Sequence, residues 1–188
     1  MKRTVTVVLM LLFGASASYA QQNPVKMKYS GSELTTTYNL AGNMFSGEEK
    51  LAGDGTLGRF TYRALRADGD NVPITDACPQ GNISVLKGAG IFRFDDGSLM
   101  TVNITGGAIC IDANGLGHLT ETYQVTGGTG RFRNATGELS LKGTLNVVLL
   151  DVTGQTPLLL TNIGMFDGTV LGVAEHQDHD SGANADNQ

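Results

Sequence analysis

The 188-residue chain has no tryptophan, two cysteines and four prolines. Charged residues make up 16% of it, well below the usual quarter. Basic residues are outnumbered, 13 Lys and Arg against 18 Asp and Glu. That deficit argues against a nucleic-acid surface, which needs basic patches to neutralise phosphates, and against an anionic membrane surface for the same reason. Two cysteines make a poor zinc site. No long amphipathic helix pattern is present, and no apolar run beyond the N-terminus is long enough to cross a membrane, so no membrane span is expected.

The first twenty residues read as a signal peptide. Lys2 and Arg3 give a positive start, an apolar run too short for a bilayer span follows, and the small residues Ser18 and Ala20 suit signal peptidase. Cleavage after Ala20 leaves 11 basic against 18 acidic residues, a formal charge of −7. The expectation is an exported protein of the bacterial periplasm or exterior. In an oxidising compartment Cys78 and Cys110 most simply form one disulfide. A catalytic thiol is the alternative, with no histidine near either cysteine in sequence.

What is abundant is glycine, 26 residues, in clusters between stretches of period two. Phe60, Tyr62 and Ala64 share one face, as do Met100, Val102 and Ile104. Leu119, Glu121, Tyr123 and Val125 share another, and Phe92 falls with Phe94. The longest such face holds Leu139, Leu141, Leu145, Val147 and Leu149. Turn signals punctuate these runs: "AGDG", "ADGDN", "DDG", "TGG", "DANG", "TGGTG" and "VTGQTP". About eight strands between Lys26 and Val173 are predicted. The fold class is all-β, a single domain over residues 25–173 whose strand spacing suits an antiparallel barrel or sandwich, and a closed barrel would also remove exposed edges. Residues 174–188 are polar and acidic and read as a disordered tail. His176, Asp178, His179 and Asp180 in that tail are metal-ligand types, but on a flexible segment they define no specific site, and no metal is expected.

The stretch "VTGGTGRFRNATGELSLKG", residues 125–143, tests two readings. A phosphate cradle would need a Walker or dinucleotide fingerprint followed by a helix. Arg131 and Phe132 follow the glycines instead, Arg133 stands where a dinucleotide fingerprint has its last glycine, and a period-two strand follows. The stretch is therefore a strand corner, with Arg131 and Arg133 on a solvated face opposite Phe132.

This corner resembles the signature hairpin of the allene oxide cyclase barrel and is similar to the dirigent-protein signature. The matching residues are Gly127, Gly128, Thr129, Gly130, Phe132, Ala135 and Gly137, within a resemblance covering about residues 88–150. It implies an eight-stranded barrel with an apolar lumen, commonly a homo-oligomer, working without metal or organic cofactor on fatty-acid epoxides or phenoxy radicals. Plant cyclases steer substrate with an early-strand carboxylate and polar groups around a proline. Here the early strands hold one acid, Glu33, and no comparable proline.

Among site candidates Glu121 stands out, an acid on an apolar face. If that face lines the lumen, burial raises its pKa and makes it a general acid or base. If it sits at a rim or on the outer face, it is a solvated side chain. Phe60, Tyr62, Tyr123 and Met100 are candidates for lining a ligand lumen, the tyrosine hydroxyls either meeting a ligand or being satisfied within a core. His118 sits beside a turn and is expected to be exposed. Three functions remain open: a binder of a small hydrophobic molecule, a cofactor-free isomerase or cyclase, or an envelope protein whose barrel is filled by its own side chains.

Overall fold

A computed structural model describes residues 22–39, 44–71, 73, 75–153 and 157–174. They form eight strands: β1 (Gln22–Asn39), β2 (Met44–Gly55), β3 (Phe60–Asn71), β4 (Gly81–Phe94), β5 (Leu99–Ile111), β6 (Gly117–Gly128), β7 (Thr136–Leu150) and β8 (Pro157–Leu171). Each strand pairs antiparallel with its sequence neighbour, and β8 returns to β1, closing the barrel. Of the barrel and sandwich that the period-two pattern allows, this is the barrel. No helix among the described residues is long and apolar enough to cross a membrane.

Alternation along each strand sets the inside and the outside. β6 is the purest case: Leu119, Glu121, Tyr123 and Val125 are buried, and the residues between them are exposed. The outer faces carry Lys28, Lys50, Arg63, Arg93, Gln124 and Lys142. The lumen takes the apolar set, Val25, Met27, Leu51, Phe60, Phe92, Met100, Leu139, Leu141, Phe166 and Val170 among them.

An eight-stranded barrel leaves room for little more than its own side chains, so bulky residues need small ones opposite. A Cβ on Gly90 would lie 2.4 Å from the Tyr62 hydroxyl. One on Gly143 would lie 2.3 Å from the Tyr29 hydroxyl, and one on Gly47 would lie 2.9 Å from Glu33 Oε1 and 3.3 Å from Arg66 Cζ. Much of the glycine content thus makes space inside the barrel as well as turns between strands.

The structure corrects four sequence expectations. First, β1 begins at Gln22, ahead of Lys26. Second, "AGDG" and "ADGDN" are the last residues of β2 and β3 rather than turns, and "TGG" at residues 105–107 is no turn. β5 runs through it, and the register against β6 shifts between Ile104 and Gly106. The extra residue is a bulge, and it moves the inward set from Met100, Val102 and Ile104 to Ile109. Third, the glycine corner does not pass directly into a strand, because a single 3-10 turn, Gly130–Phe132, precedes β7. Gly130 adopts φ 57°, and a Cβ there would sit 2.3 Å from Ser98 Oγ, so only glycine fits.

Fourth, Arg131 is not a solvated neighbour of Phe132. Its guanidinium lies 4.9 Å from the Phe94 centroid and 4.6 Å from that of Phe132. It pairs with Asp96 at 2.9 Å and donates to the Leu57 carbonyl. Phe132 is fully buried and stacks on Phe94 at 4.7 Å. Together these residues plug one end of the barrel. Arg133, one residue on, is exposed as expected.

Candidate functional site

The lumen is layered along its axis. Next to the plugged end lies an aromatic layer in which Phe60, Phe92 and Phe166 pack at 5.0–6.1 Å between centroids. Tyr29, Tyr62 and Tyr123 follow, each in ring contact with Phe166.

Beyond the tyrosines lies a buried charge cluster centred on Arg66 of β3, which is 1% exposed. Its Nη2 donates to Glu33 Oε1 at 2.6 Å and its Nη1 to Glu49 Oε1 at 2.8 Å. Its Nε donates to both Asp68 oxygens, at 2.9 and 3.1 Å. Glu121 Oε1 pairs with Nη1 at 3.1 Å, and Glu121 Oε2 accepts from the Tyr123 hydroxyl. Asn162 of β8 donates to Glu49 at 3.3 Å and accepts from Tyr29 at 2.9 Å. All these acids are buried.

The register explains why a cation is needed here. Glu33 and Glu49 are direct partners across β1 and β2, an arrangement that is destabilising for two like charges. One guanidinium among four carboxylates cannot hold all four ionised in a dry interior. Burial pushes Glu33 up to about 7, against the pull of Arg66. Burial and the Glu121 charge raise Glu49 well above the carboxylate range. Burial also raises Asp68 and Glu121, with Arg66 opposing. For Arg66 burial alone would favour deprotonation, but the surrounding carboxylates keep it protonated. Tyr29, Tyr62 and Tyr123 are raised by burial and stay neutral.

Past the charge cluster the barrel opens into a cavity of about 310 Å³, at the small end of ligand pockets. Ile83, Ile109, Ile111, Leu145 and Leu160 form apolar walls, and Phe45 and Pro157 also line it. Glu33 and Asp68 are its buried polar groups, and Gln80 is exposed at its edge. Cys78 and Cys110 form a disulfide beside this end, tying the segment before β4 to the end of β5. The long apolar face of β7 divides here. Leu139, Leu141 and Leu145 are buried, Val147 lines the cavity while 45% exposed, and Leu149 is 54% exposed.

Glu121 faces the lumen, as its apolar strand-mates suggested, but it lies in the charge cluster and does not line the cavity. Nor do Phe60, Tyr62, Tyr123 and Met100, which are packed into the core. Gly127, Gly128, Gly130, Phe132 and Gly137 shape the plugged end. His118 is exposed and lies 3.0 Å from Asp112. His176, Asp178, His179 and Asp180 lie outside the described residues, as do residues 1–20. No group of three or more His, Cys, Asp or Glu among the described residues is placed to hold a metal.

Sequence reasoning missed Arg66, Glu49, Asp68 and Asn162. A signal was present: Arg66 and Asp68 continue the parity of Phe60, Tyr62 and Ala64, and Glu49 shares that of Leu51. Glu49 stands in the charged run "GEEK", which obscures that parity. No protein family and no characterised protein matches the chain in sequence.

Proposed function

We propose that the protein binds a small, largely apolar molecule in the open end of its barrel. The observation that carries this reading is the cavity of about 310 Å³, apolar-walled and ending on two buried carboxyl groups. The other end is plugged, so a ligand would enter past Gln80, Val147 and Pro157. Binding would come from apolar burial, with few polar groups setting orientation. The disulfide suits an oxidising compartment, and export, like the resemblance to allene oxide cyclase and dirigent barrels, belongs to this proposal.

A second reading is a cofactor-free isomerase or cyclase. Its support is Glu33, an early-strand carboxyl group at the cavity that titrates near neutrality, as a general acid or base should. Such an enzyme would act largely by holding a reactive chain in one conformer.

The test is native mass spectrometry of protein purified from its own exported fraction, before and after organic extraction, alongside an Ile111→Trp variant. A discrete extractable mass that the variant lacks supports binding in the cavity. A protein that arrives empty and acquires no adduct from a host lipid extract overturns it.

A further inference from the structure

We propose, building on the binding reading, that the cavity selects a ligand with a cationic head group, a protonated amine on an apolar body, received by Glu33 Oε2. Glu33 is 2% exposed and lines the cavity. Its Oε1 is taken by Arg66, whereas Oε2 has no hydrogen-bond partner among the described residues. A buried carboxylate oxygen left without a donor is costly, and a ligand N–H placed there removes that cost.

The surroundings choose the sign of the charge. Each of the three nitrogens of Arg66 is already engaged by a carboxylate. No lysine or arginine is among the residues that line the cavity, while Glu33 and Asp68 are. An anionic head group would meet two carboxyl groups with no basic side chain left for it. A metal ion would need several converging ligands, which the described residues do not provide. An ammonium needs one strong acceptor and apolar walls for its tail, and both are present. The charge-assisted bond is the stronger kind.

The groups facing Glu33 set the pH response. They are Arg66 and Asp68 of β3 and Glu121 of β6, and Glu49 of β2, its cross-strand partner, with Tyr29 of β1 and Asn162 of β8 beyond them through Glu49. Glu33 titrates near 7. Its carboxylate form, the one that attracts an ammonium, therefore grows as pH rises through neutrality, while an alkylamine stays charged.

The experiment is calorimetric titration of the full folded protein with octylamine, octanol and octanoate, at about pH 5.5 and about pH 8. Expected at the higher pH is octylamine binding roughly tenfold tighter than octanol, with the advantage shrinking at the lower pH. Glu33→Gln should abolish that advantage, so that octylamine binds no tighter than octanol. If the variant does not fold, the selectivity of the wild-type protein and its pH profile decide. Equal binding of amine and alcohol, or tighter binding of octanoate, overturns the cationic head group and leaves the binding reading standing. Failure of all three ligands, together with an empty protein by mass spectrometry, overturns both.

Discussion

Arg66 and Glu33 meet at 2.6 Å although β2 lies between their strands. The contact passes over the inner face of β2, and it is possible because Gly47 lies there, where a Cβ would come within 2.9 Å of Glu33 Oε1. Three strands thus cooperate to set one ion pair at the inner end of the cavity. Glu49 of β2 and Glu121 of β6 complete a ring of acids around one cation.

Removing that cation should be severe. Arg66→Met would leave four buried carboxyl groups without a counter-charge, and losing one partner of a buried ion pair costs roughly 3–5 kcal/mol. Because Arg66 lowers the pKa of its acidic partners, they would shift further up in the variant. Urea unfolding should therefore show a large loss at neutral pH and a smaller one in mild acid. Equal losses at both would mean that the carboxyl groups are not what Arg66 stabilises.

The wild-type protein should be more stable in mild acid than in mild base, against the common trend. The pKa of Glu33 is raised in the fold from 4.5 to about 7, and Glu49, Asp68 and Glu121 shift the same way. A raised folded-state pKa contributes stability that is complete below the unfolded value and lost as pH climbs through the folded one. Between about pH 4.5 and about pH 7 the loss from Glu33 is on the order of 3 kcal/mol. Thermal melts across that range should show Tm falling by roughly 6–12 °C. A Tm that rises with pH would contradict the cluster as described.

Gly143 tests how tightly the tyrosine layer is packed. Gly143→Ala would press a methyl group against the Tyr29 hydroxyl and Asn162 Oδ1, an overpacking cost of roughly 1–3 kcal/mol. Tyr29→Phe removes the hydroxyl and makes room. The double variant should therefore lose less than the two single losses added together, measured by denaturant unfolding. Strict additivity would place the strain elsewhere.

The disulfide closes a separation of 32 residues, for which chain entropy gives about 3–4 kcal/mol. Paired Cys78→Ser and Cys110→Ser replacements should lower stability by about that amount. Hydrogen exchange should rise first around Thr75, Gln80 and Ile111, which hydrogen-bond around the bridge. Protection unchanged there would show that the strand ladder alone holds this end.

Much of the barrel is legible in the chain itself. Alternation is a local property of a strand, so the buried faces of Phe60 and Tyr62, of Met100 and Ile104, and of Glu121 and Tyr123 follow from counting by two. The paired cysteines follow from their number. Where the pleat is interrupted, counting fails: the bulge at Gly106 resembles a turn because glycines serve both purposes, and Arg131 resembles a surface cation until Phe94, Phe132 and Asp96 are brought around it.

The tertiary structure decided which charges meet. Arg66, Glu33, Glu49, Asp68 and Glu121 come from four strands, and their distances depend on how strand registers stack around a closed barrel, which no single stretch of sequence encodes. It also decided that Glu33, rather than Glu121, meets the cavity. Both face inward by parity, but depth along the barrel axis is set by closure of β8 on β1 and by the plug at the opposite end.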